Sequence, residues 1–514
     1  MNDAARRSRS SPQQPALQDG DLLAAIDLGS NSFHMVVASY VLGQLRVVDR
    51  LREMVRLAEG LDERGGLDPA VQQRALDCLA RFGQRLHDIP PQRVRALATN
   101  TVRALARPQA FLVPAETALG HAIEVVSGRE EARLVYLGVA HAQPPKPGQR
   151  RLVMDVGGGS TECIIGSGFD PLERESLQVG CIASTRRFFG DGKLSRKRWK
   201  EALVEVGAEF QQFASTYRNV GWDEALGSSG TLKQVAEICM AMKLTKGSIT
   251  AEALPQLRDR LLRAERIEAI DLPGLDEDRR PIIAGGLLIV EAAFSAFGLA
   301  RMAVSKAALR EGALYDMLGR GGADDPREAS VAALVQRYGI DPAQAARVEA
   351  TALALFDRVA GDWKLDGDQR RMLAWAARLH EIGLAIAHSQ YQLHGAYVLQ
   401  NSDIAGFSQQ EQQVLAALVR SHRRKVPGKA FDMIPDRLLA GTKRIAALLR
   451  LAVLLHRSHE AAELPELRAS AKRDQLSLTL PARWLEQRPL LRADLDGEPA
   501  DMAGLGIALE IWAD

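Results

Sequence analysis

Cysteine is scarce in this chain. Its four thiols in 514 residues, Cys78, Cys163, Cys181 and Cys239, show no Cys-x-x-Cys spacing. That excludes a disulfide scaffold and a cysteine-based zinc module, and makes a reducing cytoplasm the expectation. An excess of one charge is missing too, since 66 Lys and Arg against 64 Asp and Glu leave a formal +2. A surface that coats nucleic acid generally is thereby excluded, and no specific nucleic-acid partner is expected. No apolar run reads as long enough to span a membrane. Met1–Asp21 is polar, rich in Arg, Ser, Gln and Pro, and has no apolar h-region. It reads as a disordered tail and not a signal peptide. What is present is ordinary: 46% hydrophobic and 25% charged residues, in a chain long enough for several domains of about 100–200 residues each.

The stretch that organises the rest is Leu152–Glu162, Leu-Val-Met-Asp-Val-Gly-Gly-Gly-Ser-Thr-Glu. Its apolar start predicts a buried strand that delivers Asp155 to its C-terminal tip. Gly157, Gly158 and Gly159 are free to take positive φ and to leave N–H groups uncovered for a phosphate. Ser160 and Thr161 add hydroxyls, and Glu162 is an acid in an otherwise apolar second strand. Two carboxylates around a glycine-rich turn suit Mg²⁺ bound through a few oxygens plus phosphate. The motif occurs twice. Asp27-Leu28-Gly29-Ser30-Asn31-Ser32 follows the apolar run Leu22–Ile26, and adding 128 carries Asp27, Gly29 and Ser32 onto Asp155, Gly157 and Ser160. The repeat predicts two homologous α/β domains facing one polyphosphorylated ligand, an architecture that resembles that of actin, sugar kinases and Hsp70 chaperones.

Other candidates follow from local pattern. Val94–Ala98 predicts a strand whose tip carries Thr99, Asn100, Thr101 and Arg103. Hydroxyls and a guanidinium there fit phosphate, and equally fit a helix N-cap with a solvated Arg. Ser127-Gly128-Arg129-Glu130-Glu131 opens a helix running to about Ala142. First-turn acids suit the helix dipole, yet one glutamate could face a cleft as general base; neighbours diverge by about 100°, so only one can. Gly227-Ser228-Ser229-Gly230-Thr231 is a strand–turn–helix cradle and a third phosphate candidate. Gly285-Gly286, inside an apolar helical stretch, predicts close packing beneath the site. From Gly319 the chain turns almost continuously helical, with His380-Glu381, His388, His394 and His422 close in sequence. Such clustering marks either a metal site or polar and capping histidines. Arg420–Lys425, Arg437, Lys443 and Arg444 form a basic stretch, either a solvated face or a guide for a polyanion.

These motifs resemble the exopolyphosphatase / guanosine pentaphosphate phosphatase family from about Leu22 to Asp514. The residues that carry the likeness are Asp27–His34, Ser127–Arg133, Asp155–Glu162, Gly227–Thr231 and Ala308–Gly312, with Leu379–Gly383 and Leu399–Asp403 in the helical part. The resemblance implies an α/β fold of duplicated actin-like (ribonuclease H-like) ATPase-fold domains, then a helical HD-like domain and a small α+β C-terminal cap. Boundaries are expected at 1–21, 22–142, 143–318, 319–458 and 459–514. It implies hydrolysis of a terminal phosphoanhydride in the cleft between the first two domains, with Glu131 deprotonating the attacking water. Asp155 and Glu162, joined by Asp27, would hold Mg²⁺, with K⁺ as a stimulating ion. An active HD site needs His-Asp and a later Asp, whereas Glu381 replaces the first and Leu448–Leu455 offers only Arg450. An HD-like metal centre is therefore expected to be absent. Lys306, after Ser305, has no assigned role.

The leading expectation is an exopolyphosphatase acting on inorganic polyphosphate. The rival within the family is hydrolysis of pppGpp, guanosine 5′-triphosphate 3′-diphosphate. Outside it stand an actin-like nucleotide-binding scaffold and a degenerate HD-type nucleotide sensor. The family likeness further suggests a homodimer in the cytoplasm, with peripheral contact at the inner face of the membrane left open.

Overall fold

The structure, a computed structural model, describes residues 17–320, 325–460 and 464–514. The chain forms two compact units, residues 17–320 and the segment that follows Arg320. Residues 1–16, most of the expected tail, lie outside the described residues. Leu17–Asp21 already belongs to the fold. Leu17 packs on a core, Gly20 N–H donates to Tyr40 O at 2.8 Å, and Leu42 N–H donates to Asp19 Oδ1 at 2.9 Å.

In the first unit, β1 (Leu22–Leu28) is almost wholly apolar, as a strand covered on both faces must be. It pairs antiparallel with β2 (Phe33–Val41), which pairs with β3 (Gln44–Glu53). On its other side β1 runs parallel to β4 (Val94–Ala98), and β4 to β5 (Ile123–Val125). The strand order is β3-β2-β1-β4-β5. The second sheet repeats this plan with β6 (Arg150–Val156), β7 (Thr161–Ser167), β8 (Asp170–Leu177), β9 (Glu224–Gly227), β10 (Ile249–Thr250) and β11 (Arg301–Val304). Its order is β10-β11-β9-β6-β7-β8, so β10 is the one addition.

Helices cover the sheets. The first three are α1 (Pro69–Leu86), α2 (Asn100–Arg103) and α3 (Pro108–Leu119). α1 begins where Asp68 accepts from the N–H groups of Ala70 and Val71, and its stripe Val71, Ala75, Cys78, Leu79, Phe82 and Leu86 is buried. Side chains alternate across β1: Ala24, Ile26 and Leu28 join the core under α1 and α3. Leu23 and Ala25 face a different core, which they share with Val153 and Ile164 of the second sheet. That shared core holds α4 (Gly128–Ala142) and, from the end of the unit, α10 (Leu309–Gly319). The far face of the second sheet carries α5 (Cys181–Phe189), α6 (Arg196–Val220), α7 (Gly230–Ala241), α8 (Ala253–Leu262) and α9 (Ile283–Phe297).

α4 and α10 cross backbone to backbone. A Cβ on Gly312 would lie 1.8 Å from Leu134 O, and one on Gly138 would lie 2.3 Å from Ala308 O. Beside the crossing is a buried ion cluster. Asp316 of α10 accepts from Arg95 of β4 and, at 2.5 Å, from Arg133 of α4; Arg133 also pairs with Glu130 at 2.8 Å.

The apolar stretch around α9 corrects one expectation. Glu277–Phe297 is long and apolar enough, by length and composition, to cross a membrane. Here it is a core helix, mostly buried. Gly285 lets it touch the backbone of α5 at Cys181 O, and Gly286 lets it touch Thr231, where added Cβ atoms would come within 2.4 and 2.5 Å.

The second unit holds α11 (Pro326–Arg337), α12 (Pro342–Trp363), α13 (Gly367–Leu379), α14 (Tyr391–Asn401), α15 (Gln409–Ser421) and α16 (Asp436–Leu455). The C-terminal segment adds β12 (Arg468–Lys472), β13 (Gln475–Leu480), α17 (Ala482–Glu486), α18 (Pro489–Met502) and β14 (Ala508–Ala513). It does not form a core of its own. Leu476, Leu478, Leu495 and Met502 pack in one cluster with Val348, Leu355 and Leu448. Arg450 of α16, fully buried, is clamped by both carboxylate oxygens of Glu498 on α18, at 2.5 and 3.1 Å.

Candidate active site

The C-terminal tips of β1 and β6 open into one cleft of ≈ 250 Å³, where ligands bind in open α/β sheets. The turn after β1 brings Gly29, Ser30, Asn31 and Ser32 to it. The turn after β6 brings Gly157, Gly158 and Ser160, and the turn after β9 brings Ser228, Ser229, Gly230 and Thr231. Thr99 and Asn100 enter from β4, Glu131 from the first turn of α4, and Asp27 and Asp155 from the strand tips.

The glycines are there for room, not for positive φ. None of Gly29, Gly157, Gly158, Gly159 and Gly230 has a left-handed backbone. A Cβ on Gly159 would stand 2.2 Å from Asn100 Oδ1, one on Gly158 would stand 2.9 Å from Ser30 Cβ, and one on Gly230 would stand 2.1 Å from Arg279 Nη2. The two halves therefore touch across the cleft with no side chain between them. Asn100 Nδ2 also donates across it to Gln178 Oε1, at 2.7 Å.

Several expected ligands are occupied elsewhere. Thr161 is fully buried and donates to Val179 O, so its hydroxyl never reaches the cleft. Gly227 packs against Leu232 and Met302. Gly157 N–H closes its own turn on Ser160 O at 2.9 Å. Ser228 Oγ donates to Asp155 Oδ2 at 2.8 Å, and Ser229 Oγ caps α7 by accepting from Leu232 N–H at 3.2 Å. Thr99 makes no side-chain cap, so of its two readings the cleft-facing one matches the geometry.

Glu130 and Glu131 part as adjacent helix residues must. Glu130 turns into the ion cluster with Arg133, and Glu131 lines the cleft and accepts from Arg103 Nη1 at 3.0 Å. Arg103 Nη1 also donates to Val126 O at 2.7 Å, while its Nη2 is buried without a partner. Asn31 Nδ2 is likewise buried and unpartnered. Two buried donors without partners stand close to the cleft, and the oxygens of an anion would satisfy them.

Carboxylates converge here, and burial raises them although cations stand close by. Burial raises Glu131, and Arg103 only partly opposes it. Burial also raises Asp155 despite the Ser228 bond. Glu162 is pushed well up by burial and then by the charges of Glu131 and Asp155. Asp27 is pushed up to about 7 by burial, against Arg310, whose Nη1 is 3.6 Å from Asp27 Oδ2. Among the described residues no three His, Cys, Asp or Glu side chains close around one point. The donor set fits a divalent cation that takes one or two carboxylates and completes its shell with phosphate oxygens.

Sequence reading missed the cations and the imidazole. Arg52, Lys233, Arg279 and Arg310 line the cleft, as does His34. Arg52, Lys233 and Arg279 are single residues that no motif announces, whereas His34 and Arg310 lie inside the Asp27–His34 and Ala308–Gly312 motifs without having been assigned a role. Lys233 Nζ donates to Lys306 O at 3.2 Å, which gives Lys306 a role through its carbonyl. Burial and the surrounding cations drive His34 down to about 2, so it is neutral, with Nε2 2.8 Å from Ser32 Oγ. His34 stands opposite Asp27 across the β1–β2 pair, as Glu162 stands opposite Asp155 across β6–β7.

The amino-acid pattern of the Ppx/GppA phosphatase family matches residues 36–321, and that of domain III of the same phosphatases matches residues 327–499. This chain belongs to the Ppx/GppA phosphatase family. Like its relatives this Ppx/GppA phosphatase hydrolyses phosphoanhydride bonds. It is 38% identical over 488 residues to the guanosine-5′-triphosphate,3′-diphosphate pyrophosphatase of Pseudoalteromonas translucida, covering 95% of this chain and 97% of that protein. The protein of that name from Vibrio parahaemolyticus is 36% identical, covering 96% and 98%. Among solved structures, an exopolyphosphatase from Cytophaga hutchinsonii is similar with a TM-score of 0.53 and 24% identity, covering 59% of this chain and 100% of that one. At that identity the likeness concerns the fold.

In the helical unit of this Ppx/GppA phosphatase two of the clustered histidines meet, His380 and His422, with ring centroids 5.5 Å apart. His380 and His422 are buried, each bonded through Nδ1 to a carbonyl of its own helix, and burial keeps both neutral. Glu381 pairs with His459 at 3.0 Å, and His388 is exposed. The basic stretch is partly tied down: Arg423 lies over Tyr391 and Arg444 over Trp363.

Proposed function

We propose that this phosphatase removes the terminal 5′-phosphate of guanosine 5′-triphosphate 3′-diphosphate. The observation that carries this reading is the end-to-end likeness, through both units, to relatives bearing that name. It moves the rival reading ahead of inorganic polyphosphate, which rested on the helical part of the sequence.

Glu131 orients and deprotonates the water. As the water oxygen bonds to the terminal phosphorus, its proton passes to the Glu131 carboxylate. The bridging P–O bond breaks, and its electron pair leaves on the penultimate phosphate. Arg103 holds Glu131 through Nη1 and keeps Nη2 for a phosphate oxygen. Asn31, Ser30, Ser32, Thr99 and the cleft cations Lys233, Arg279 and Arg310 orient the phosphates. Asp155 and Glu162, with Asp27 nearby, would hold Mg²⁺, which neutralises charge developing on the phosphate oxygens. K⁺ stimulation, an actin-like ancestry of the duplicated halves, an HD-like helical unit without a metal centre, and a cytoplasmic homodimer complete the reading. They are supported by the family likeness and by four buried free thiols.

The test is phosphate release, with Mg²⁺, from the guanosine substrate and from long-chain polyphosphate, for wild type and Glu131→Gln. Faster turnover of the nucleotide, with loss of roughly 10²–10⁴-fold in the variant, is expected. Faster turnover of polyphosphate would keep the site and overturn the substrate, and full activity of Glu131→Gln would overturn the assignment of the base.

A further inference from the structure

Ser176, the next-to-last residue of β8, belongs to no phosphate motif. In the β7–β8 register it stands directly opposite Glu162. Its hydroxyl donates to Glu162 Oε1 at 2.9 Å. On its other side it fills the space above Gly128, the first residue of α4, where an added Cβ would lie 2.3 Å from Ser176 Oγ and 2.5 Å from its Cβ. Three residues further along α4 comes Glu131. One small side chain thus touches the carboxylate of β7 and the start of the helix that carries the candidate base.

We propose that Ser176 is a positioning residue that fixes Glu162 for the divalent cation and gauges its distance from α4. The inference rests on the reading of Glu162 as a ligand of that cation. The physical case is that a carboxylate buried beside Glu131 and Asp155 gains nothing by pointing at them. Left to itself it turns away. A hydroxyl donor on Oε1 pins that oxygen, so that the other has a fixed direction. Ser228 does the same for Asp155 Oδ2 from the opposite side, at 2.8 Å. Glu162 is bonded by Ser160 of the glycine-rich turn as well, so Ser176 shares that carboxylate with a cleft residue. Because Gly128 leaves no gap, Ser176 cannot swing from Glu162 toward α4. Glycine at 128 is thus required by the serine and not by the backbone, whose φ there is unexceptional.

The experiment titrates Mn²⁺ alone against the full chain, reading free Mn²⁺ by electron paramagnetic resonance, with thermal melts of the same samples. Glu162→Gln tests the parent reading and is expected to abolish binding at this site. Ser176→Ala is expected to weaken Mn²⁺ about 10–100-fold, the usual effect of losing such an outer partner, with little change in the metal-free melt. Gly128→Ala, which pushes the serine aside, is expected to weaken Mn²⁺ similarly. Placed on Ser176→Gly, where the colliding atoms are gone, Gly128→Ala is expected to add no further loss. Should Ser176→Ala melt much lower than wild type, Ser176→Cys, close in size and a poorer donor, decides by the same reading. Unchanged binding in Glu162→Gln, or no binding by wild type, overturns the metal reading and this proposal with it. Loss in Glu162→Gln with Ser176→Ala and Gly128→Ala both within twofold of wild type overturns the role of Ser176 alone.

Discussion

Glu131 is pulled two ways, raised by burial and held down by Arg103. A general base must be ionised, so activity should fall with falling pH through the carboxyl's raised pKa. Arg103→Met removes the group that lowers it, and the acid limb of kcat against pH should move to higher pH. Asp27 gives a stability prediction with a defined sign. Its folded pKa of about 7 lies above the ordinary 3.8, so the folded state holds the proton more tightly. In metal-free protein the stability from that proton is complete below 3.8 and is lost as pH rises toward 7. Asp27→Asn keeps the neutral form at every pH, so its melting temperature should gain on wild type across that window, and parallel curves would refute the shift. At this scale the sequence showed the acids, because Asp27, Asp155, Glu162 and Glu131 sit in spaced motifs. It hid Arg52, Lys233, Arg279 and Ser176, singletons that only the tertiary fold collects, and it showed His34 and Arg310 within motifs without their roles.

Among the elements, α4 and α10 meet with the least room for a Cβ among the described glycines. Gly312→Ala would drive a methyl into Leu134 O, which must part the helices at a cost of about 1–3 kcal/mol. Chemical denaturation should show that loss, and turnover should fall with it, since α4 carries Glu131 and α10 carries Arg310. The strands and helices themselves were legible. The β1 and β6 runs, the α1 stripe and the Ser127 start of α4 all follow from burial pattern and capping. What sequence could not show is why the glycines are there. A Gly-Gly-Gly run reads as conformational freedom, whereas Gly158 and Gly159 are small because Ser30 and Asn100 of the other half lie against them. The apolar α9 stretch was under-read for a related reason, since a helix buried on every side has the composition of a membrane span.

In the whole molecule, every cleft residue lies within residues 17–320, which have their own cores. That fragment should fold alone, giving one cooperative melt and retaining Mn²⁺ binding; a fragment without a cooperative melt would show that it needs the helical unit. The duplication was visible as a 128-residue offset, which foretold two α/β halves; the shared strand plan, with β10 added to the second sheet, came with the fold. The C-terminal segment's alternating strands reveal a buried face without saying what buries it, and the fold supplies the core it shares with α12 and α16. The offset has one further consequence. It carries His34 onto Glu162, so the two walls agree at Asp27 and Asp155 and at Ser32 and Ser160, and disagree at this pair. Two like walls would form a palindrome, legible from either direction. An imidazole on one wall where the other has a carboxylate spoils the palindrome, so the two ends of the cleft are chemically distinct.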